Sequence, residues 1–388
     1  KTLSNMKICL VSSSFYPAHI YGGPIDATWH LSNKLADKNF KIYVSTTNAN
    51  GKSRLDVKTN SFISYQPNFF VKYYHEQIIN YFSFSFIKGI WNDIHNSDLV
   101  YIQYLFHYTV FFSLIFSLIK RKKILICPRG SFSDYTLNNS NKFFKSIWIN
   151  FFVKFFSSSI KWHACSDLEK NDILKNIPNA NVLVVNDGID FNSFQKFEQL
   201  NALKILNLYT NKQLEKCSSL FLSLGRLHKI KCYDNLISSF KLYTEKDSDA
   251  KLVIAGGDDG HKHDLLNLIK YLDLENSVFL IGHVNHKDRN ILLNNCNYFV
   301  LPSEFESFGL VVAEAMSCGK PILVSNKTSW HHLEKNNCGI LVDNSELGLY
   351  KGLINIQKAK FNKNIIKTYV KTNYDWSVIV DIFIKKIN

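Results

Sequence analysis

Acidic side chains are in short supply: Asp and Glu number 32 against 46 Lys and Arg, a formal charge of +14 over 388 residues. The eight cysteines contain no C-x-x-C pair and no metal-ligand spacing, which argues against a zinc module and a disulfide scaffold. Several lie inside apolar runs, where a reduced thiol behaves as a small hydrophobe, so a reducing cytoplasm fits them. No apolar run reaches the ~20 residues that a membrane-spanning helix needs. The longest, Leu105 to Ile119, is interrupted by His107 and followed by Lys120-Arg121-Lys122-Lys123, and we expect a helix packed in a soluble core. The opening Lys1 to Lys7 leads straight into Ile8-Cys-Leu-Val, too short a run for a signal peptide, and Met6 is a candidate natural start. Collagenous, coiled-coil and short-period repeats are missing, and 46% hydrophobic residues exclude a disordered chain.

What the chain does have is unevenly spread. Residues 1–185 hold 21 basic and 10 acidic side chains and 34 of the 55 aromatics, while 186–388 hold 25 and 22 charges. A basic, aromatic first half suggests an anionic partner, either nucleic acid or an anionic membrane surface. Within it, Asn141 to Phe156 interleaves Lys142, Lys145 and Lys154 with Phe and Trp, which suits an interfacial helix and equally a core helix whose lysines reach out to solvent.

Short aliphatic runs followed by helical patterns recur from end to end, the mark of parallel α/β layers. The first series comprises Lys7–Ser13, Lys41–Thr46, Leu99–Gln103, Ile124–Cys127, Trp162–Cys165 and Val182–Val185. After a less ordered Asn- and Lys-rich passage comes a second: Leu220–Leu224, Lys251–Ala255, Val278–Ile281, Tyr298–Leu301, Pro321–Val324 and Ile340–Val342. Helices are expected near Ile25–Lys38, Tyr233–Thr244, Lys262–Leu272, His286–Asn294 and Leu310–Ser317. We therefore expect a domain over 1–190, a linker over 191–215 and a second domain over 216–374. Two doubly wound halves would bind a ligand at the carboxyl ends of their strands.

Three motifs sit at such strand ends. In Pro302-Ser-Glu-Phe-Glu306-Ser-Phe-Gly309-Leu-Val-Val-Ala-Glu314, a loop carries Glu306 and a helix begins near Phe308. Its first backbone N–H groups favour an anion such as phosphate. Glu314 follows about 9 Å along the axis, so one carboxylate can face a sugar while the other reaches a ribose. Equally, Glu306 as a dipole cap and Glu314 as a solvated helix position would account for the segment. Gly225-Arg226-Leu-His228-Lys229-Ile-Lys231 gathers cations at a strand-to-helix turn, an arrangement that clamps phosphate and that also occurs as a solvated turn. Tyr21-Gly22-Gly23 and Ala255-Gly-Gly-Asp258-Asp259-Gly260 permit close approach to a phosphate or simply a tight turn.

Taken in order, Gly225-Arg226-x4-Lys231, Ala255-Gly-x-Asp-x-Gly260, Gly282-x-Val284 and Pro302-Ser-x-x-Glu306-x-Phe-Gly309 with Glu314 resemble the C-terminal half of retaining glycosyltransferases of family 4, GT-B type. The loop with Gly22-Gly23, Pro128-Arg129-Gly130 and Ala164-x-Ser166-x-x-Glu169 is similar to the branch that builds exopolysaccharides and lipopolysaccharide O-chains. The resemblance covers nearly the whole chain. It implies two Rossmann-like parallel-sheet domains facing a deep cleft, with Tyr374-Asp-Trp376 opening a C-terminal helix, about 375–388, that crosses back to the first domain.

The resemblance also implies roles. Arg226 and Lys231 would hold the donor diphosphate, Glu314 the ribose, Glu306 the transferred sugar, and His283 and Val284 the base. Ser307, Phe308, Gly309 and Leu310, with Gly22 and Gly23 opposite, would complete the phosphate cradle, and Arg129, Gly130 and His107 would lie on the acceptor side. The implied reaction moves a sugar from a nucleotide diphosphate, a UDP-sugar before GDP-mannose, to a hydroxyl with retention, without a metal or other cofactor. The one Asp-x-Asp, Asp247-Ser-Asp249, reads as a solvated turn. The expected acceptor is a lipid-diphosphate-linked saccharide, reached by peripheral contact with the anionic cytoplasmic leaflet. A sugar-nucleotide 2-epimerase of the same fold is the alternative, and a nucleic-acid partner finds no recognition motif. Three positions depart from the family's pattern: Cys232 replaces the glycine after the clamp lysine, Asn186-Asp187-Gly188 replaces Pro-Asn-Gly, and Arg129 stands where many relatives have histidine.

Overall fold

The computed structural model describes residues 5–78, 82–139, 141–195, 202–210 and 216–387. The chain divides into two compact units, one made of Lys1–Gly188 and Trp376–Asn388, the other of Ile189–Asp375. Of the passage expected as a linker, 196–201 and 211–215 lie outside the described residues, as do 1–4 near the chain start, while Phe191–Phe194 and Ala202–Thr210 are helical parts of the second unit.

The first unit is built on an eight-stranded sheet of β1 (Lys7–Val11), β2 (Lys41–Thr47), β3 (Phe62–Gln66), β4 (Phe69–Tyr74), β5 (Leu99–Gln103), β6 (Lys123–Cys127), β7 (Ile160–Ala164) and β8 (Asn181–Val184). Their order is β8-β7-β6-β5-β1-β2-β4-β3, parallel throughout except for β3, which pairs antiparallel with β4. A central parallel strand is covered on both faces, so it reads as a continuous apolar run. Ile8 to Val11 are accordingly all at most 1% exposed. The β3–β4 hairpin was not anticipated, because β3 is largely exposed at the sheet edge and shows no alternation.

Helices α1 (Gly23–Asp37), α2 (Phe84–His95), α3 (Tyr108–Ile119) and α4 (Asp167–Asn176) belong to this unit. The expected core helix after Leu105 is present, but its burial is inverted. Thr109, Val110, Ser113, Leu114 and Ser117 of α3 face the interior, while Phe111, Phe112, Ile115, Phe116 and Leu118 are half-buried and Ile119 is exposed. Small serines let the helix approach the sheet, and Ser117 Oγ donates to Ser113 O at 2.6 Å within the helix. Asn141 to Phe156 forms an α-turn over Lys142–Ile147, a π-helical stretch over Trp148–Val153 and a last turn at Lys154–Phe156. It buries Ile149 and Val153 and exposes Phe143, Phe144 and Phe155.

The second unit carries a six-stranded, fully parallel sheet of β9 (Leu220–Leu224), β10 (Lys251–Ala255), β11 (Val278–Gly282), β12 (Tyr298–Leu301), β13 (Ile322–Ser325) and β14 (Gly339–Val342), in the order β11-β10-β9-β12-β13-β14. Its helices are α5 (Tyr233–Thr244), α6 (Lys262–Tyr271), α7 (His286–Asn295), α8 (Leu310–Ser317), α9 (Glu346–Lys358) and α10 (Lys363–Tyr374). The strand order reverses between β9 and β12, and the crevice at the carboxyl ends of such a pair is where doubly wound sheets take ligands.

The last helix, α11 (Trp376–Ile387), packs on α1 of the first unit. Trp376 lies so close beneath Gly188 that a Cβ there would come within 2.6 Å of the indole. Phe383 touches Tyr101 and His163, and Lys161 Nζ donates to Lys386 O at 2.6 Å. Among the described residues no helix is long and apolar enough to cross a membrane.

Candidate functional site

The two strongest motifs occupy the strand-order reversal of the second unit. Gly225-Arg226 follows β9 and Pro302 to Gly309 follow β12. Glu304 N donates to Ile230 O at 2.8 Å, stitching one loop to the other. Across that stitch Lys231 Nζ forms an ion pair with Glu306 Oε1, which also accepts from Ser303 Oγ at 2.8 Å. Both charged side chains are about 15% exposed, so the pair is largely withdrawn from water yet still open to a ligand.

Close backbone packing makes the glycines obligatory here. A Cβ on Gly256 would stand 1.8 Å from Gly225 O, and one on Gly225 would meet Tyr233 Oη at 2.8 Å and Lys231 Cε at 3.1 Å. Leu227 O accepts from Asp259 N and His261 N, which draws the loop after β10 beside the clamp, and there Arg226 Nη1 pairs with Asp259 at 2.6 Å. His228 caps the turn over Lys229–Lys231 by accepting from Ile230 N at 3.2 Å, and burial and then the nearby Arg226 hold its pKa down. Cys232 takes the left-handed conformation expected of the glycine it replaces, at φ 50°, and burial pushes its thiol up to about 11.

Helix α8 opens at Gly309, whose φ of +80° turns the loop into the helix. The preceding carbonyl is fixed: Phe308 O accepts from Trp330 Nε1 at 2.6 Å and Ser329 Oγ at 3.1 Å, while the buried Phe308 ring packs on Trp330 and Tyr374. Ser307 and Leu310 are half-buried beside it. Glu314 sits in the middle of this apolar helix with its side chain 5% exposed and pairs with Arg289 Nη1 at 3.2 Å. His283 is exposed and Val284 half-buried just past β11, where Gly282 O accepts from Gly256 N at 2.8 Å.

The candidate residues of the first unit have a different character. Gly22, at φ +81°, precedes α1, and Gly23 is its first residue. Arg129 is buried. Its Nη1 reaches both oxygens of Asp187 at 2.6–2.7 Å and its Nε donates to Gln103 Oε1 at 3.1 Å. Two of the departures from the family pattern are thus the two ends of one ion pair. Gly130 N and Cys165 N both donate to Glu169, a buried carboxylate whose pKa burial raises to about 7. His107 caps α3 by accepting from Thr109 N, and burial lowers its pKa to about 4.

Asp259, Ser303 and Arg289 were not singled out individually from the sequence. Asp259 lay inside a quoted glycine motif, whereas an arginine one turn into α7 carries no signal of its pairing with α8.

The family described as "Glycosyl transferases group 1" matches residues 209–356. An uncharacterized glycosyltransferase of Haemophilus influenzae is 32% identical over 177 residues, 40% of this chain and 49% of that one. The N-acetylgalactosamine-N,N'-diacetylbacillosaminyl-diphospho-undecaprenol 4-alpha-N-acetylgalactosaminyltransferase of Campylobacter jejuni is 32% identical over 181 residues, 44% of this chain and 48% of that one. The chain spans about half the length of these curated relatives. The crystal structure of HepE from Anabaena in complex with UDP and glucose superposes with a TM-score of 0.75 at 18% identity, covering 98% of this chain and 99% of that one, a likeness of fold. The family's match lies on the unit that holds the clamp, and the two-domain GT-B fold is shared with solved transferases from end to end.

Proposed function

We propose that this protein is a retaining glycosyltransferase that moves a sugar from a nucleotide diphosphate-sugar, a UDP-sugar before GDP-mannose, to a hydroxyl of a lipid-linked or saccharide acceptor in cell-surface polysaccharide synthesis. The observation that carries this reading is the Lys231–Glu306 pair at the strand-order reversal of the second unit, with the first turn of α8 directly after it. Arg226 and Lys231 take the diphosphate and Glu306 takes hydroxyls of the transferred sugar, so donor binding replaces the pair's mutual contact with ligand contacts. As the bond from the anomeric carbon to the diphosphate breaks, negative charge grows on the leaving oxygen. Preorganised cations and helix amides facing that oxygen supply the main stabilisation. The acceptor oxygen attacks on the same face and its proton passes to the departing diphosphate. The UDP found with HepE and the diphospho-undecaprenol substrate in the Campylobacter enzyme's name support the donor and acceptor classes.

The outward faces of the first unit support an acceptor held at a cytoplasmic, anionic membrane surface. Exposed Phe84, Trp91, Ile119, Phe143, Phe144 and Phe155 accompany the half-buried aromatics of α3, and Lys120 Nζ lies 3.8 Å over the Trp91 ring. Lys122 and Lys145 donate to backbone carbonyls and Lys120 also contacts His95, while Arg121, Lys123 and Lys142 are exposed cations offered to lipid.

The test is thermal stabilisation by UDP and GDP series, with and without magnesium, followed by turnover of Lys231→Ala and Glu306→Ala. We expect a metal-independent shift with one series, and a loss of ~10²–10³ in turnover in each variant with stability little changed. Normal turnover in both would overturn the assignment. Product formed without any acceptor would identify an epimerase instead.

A further inference from the structure

A carboxylate buried in an apolar helix stays ionised and ordered only if something compensates it. Glu314 is such a group: its neighbours Ala313, Ala315 and Met316 are fully buried, and its side chain is 5% exposed. One partner comes from another element. Arg289, one turn into α7, places Nη1 3.2 Å from Glu314 Oε1 and donates from Nη2 to His286 Nδ1 at 2.8 Å. The Arg289 side chain is itself four-fifths buried, and its Nε has no hydrogen-bond partner among the described residues. The Glu314 contact therefore ties the guanidinium of α7 to the carboxylate of α8.

We propose that Arg289 is the positioning residue for ribose recognition: it keeps Glu314 ionised and aimed, so that the carboxylate's remaining lone pairs accept from the two ribose hydroxyls of the donor. The inference rests on the donor-site reading given above and adds to it a second element, α7. An ionised carboxylate accepts at about four lone-pair sites, so the Arg289 contact does not by itself exclude acceptance from both hydroxyls. The positive charge also offsets the repulsion between Glu314 and an incoming diphosphate. Because the ribose lies away from the reacting bond, the effect falls on donor affinity and KM, with kcat little changed.

Calorimetric titration with UDP or GDP, whichever binds, and with its 2′,3′-dideoxy counterpart reads this directly. The native protein should prefer the ribose form by about tenfold, worth 1.4 kcal/mol. Arg289→Met should remove that preference, and Arg289→Lys should restore part of it. If Arg289→Met keeps the preference while Glu314→Gln abolishes it, the positioning role is overturned and the donor-site reading stands. If the native protein shows no preference, or Glu314→Gln retains it, the ribose assignment fails and the role of Arg289 with it. Should Arg289→Met alone not fold, Glu314→Gln is compared with the double variant, which carries no carboxylate at that position. Equal ratios and affinities in these two support action through Glu314, and a further loss on adding Arg289→Met overturns it.

Discussion

The two units use charge in opposite ways. In the second, cations and carboxylates meet at strand ends with part of their surface open: Lys231 and Glu306 are about 15% exposed, and Arg226 and Asp259 still more so. In the first, the charged residues carried by equally suggestive motifs are turned inward, Arg129 onto Asp187 and Glu169 onto two backbone amides. A motif thus places a residue at a strand end in either unit, but burial decides whether that residue can meet a ligand or holds the fold.

The sharpest way to break this contrast is to remove one end of the Arg129–Asp187 pair. Arg129→Ala leaves a carboxylate unpaired in a buried site and should cost about 3–5 kcal/mol of stability in urea denaturation. Lys231→Ala in the second unit should cost less than that, because Ser303 still donates to the Glu306 carboxylate and a ligand-facing opening admits water, while abolishing most turnover. The double variant Arg129→His, Asp187→Asn should recover most of the loss, since it removes both charges together. Failure of the double variant to improve on Arg129→Ala would mean that the pair is not what links these two positions.

How much was legible beforehand follows the same division. The strands and helices of the second unit fall almost where the spacing put them, because fully buried parallel strands and capped helices leave strong local signals. His286–Asn294 became His286–Asn295, and Leu310–Ser317 matched. The motif residues Lys231 and Glu306 were legible as a pair of chemistries, though not as a contact. Arg289 was invisible, because a contact between helices depends on the packing of α7 against α8 and leaves no mark in local spacing. In the first unit the β3–β4 hairpin escaped notice because an exposed edge strand has no buried face to impose alternation. The core helix α3 was legible but its sidedness was not, for a related reason: twelve mostly apolar residues do not say which side faces inward, and Ser113 and Ser117, not the phenylalanines, are the informative ones.

His107 sharpens the comparison from within the first unit, because it caps α3 as a neutral imidazole. Burial lowers its pKa from 6.5 to about 4. Between those values the unfolded chain binds a proton that the folded one refuses, so its contribution is intact above pH 6.5 and is lost as pH falls toward 4. A gap of this size corresponds to about 3 kcal/mol. Glu169, raised to about 7, acts in the other direction, losing stability as pH rises from its usual range. The informative quantity is therefore the difference between the native protein and His107→Asn, whose side chain caps without titrating. The variant should lose less stability on acidification, and parallel pH profiles would exclude His107 as the sensor.

The smallest expected effect on stability concerns the two faces of α3. Phe112 and Ile119 lie on its outward side and Phe116 packs partly against the core, while Ser113 and Ser117 face the interior. If the outward side serves a lipid surface and not the core, replacement by Ser should change stability by a few tenths of a kcal/mol at the exposed Ile119 and by about 1 kcal/mol at the half-buried Phe112, well below the cost of emptying a core position. The same replacement should sharply reduce co-sedimentation with anionic liposomes, and binding of the native protein should weaken with salt as the Lys120 to Lys123 cluster is screened. Ser117→Leu on the inner face should do the reverse, disturbing the packing by about 1–3 kcal/mol while leaving the lipid-facing residues unchanged. A large stability loss from the outer pair would assign those aromatics to the core, and the basic, aromatic surface of this unit would then lose its claim to a membrane.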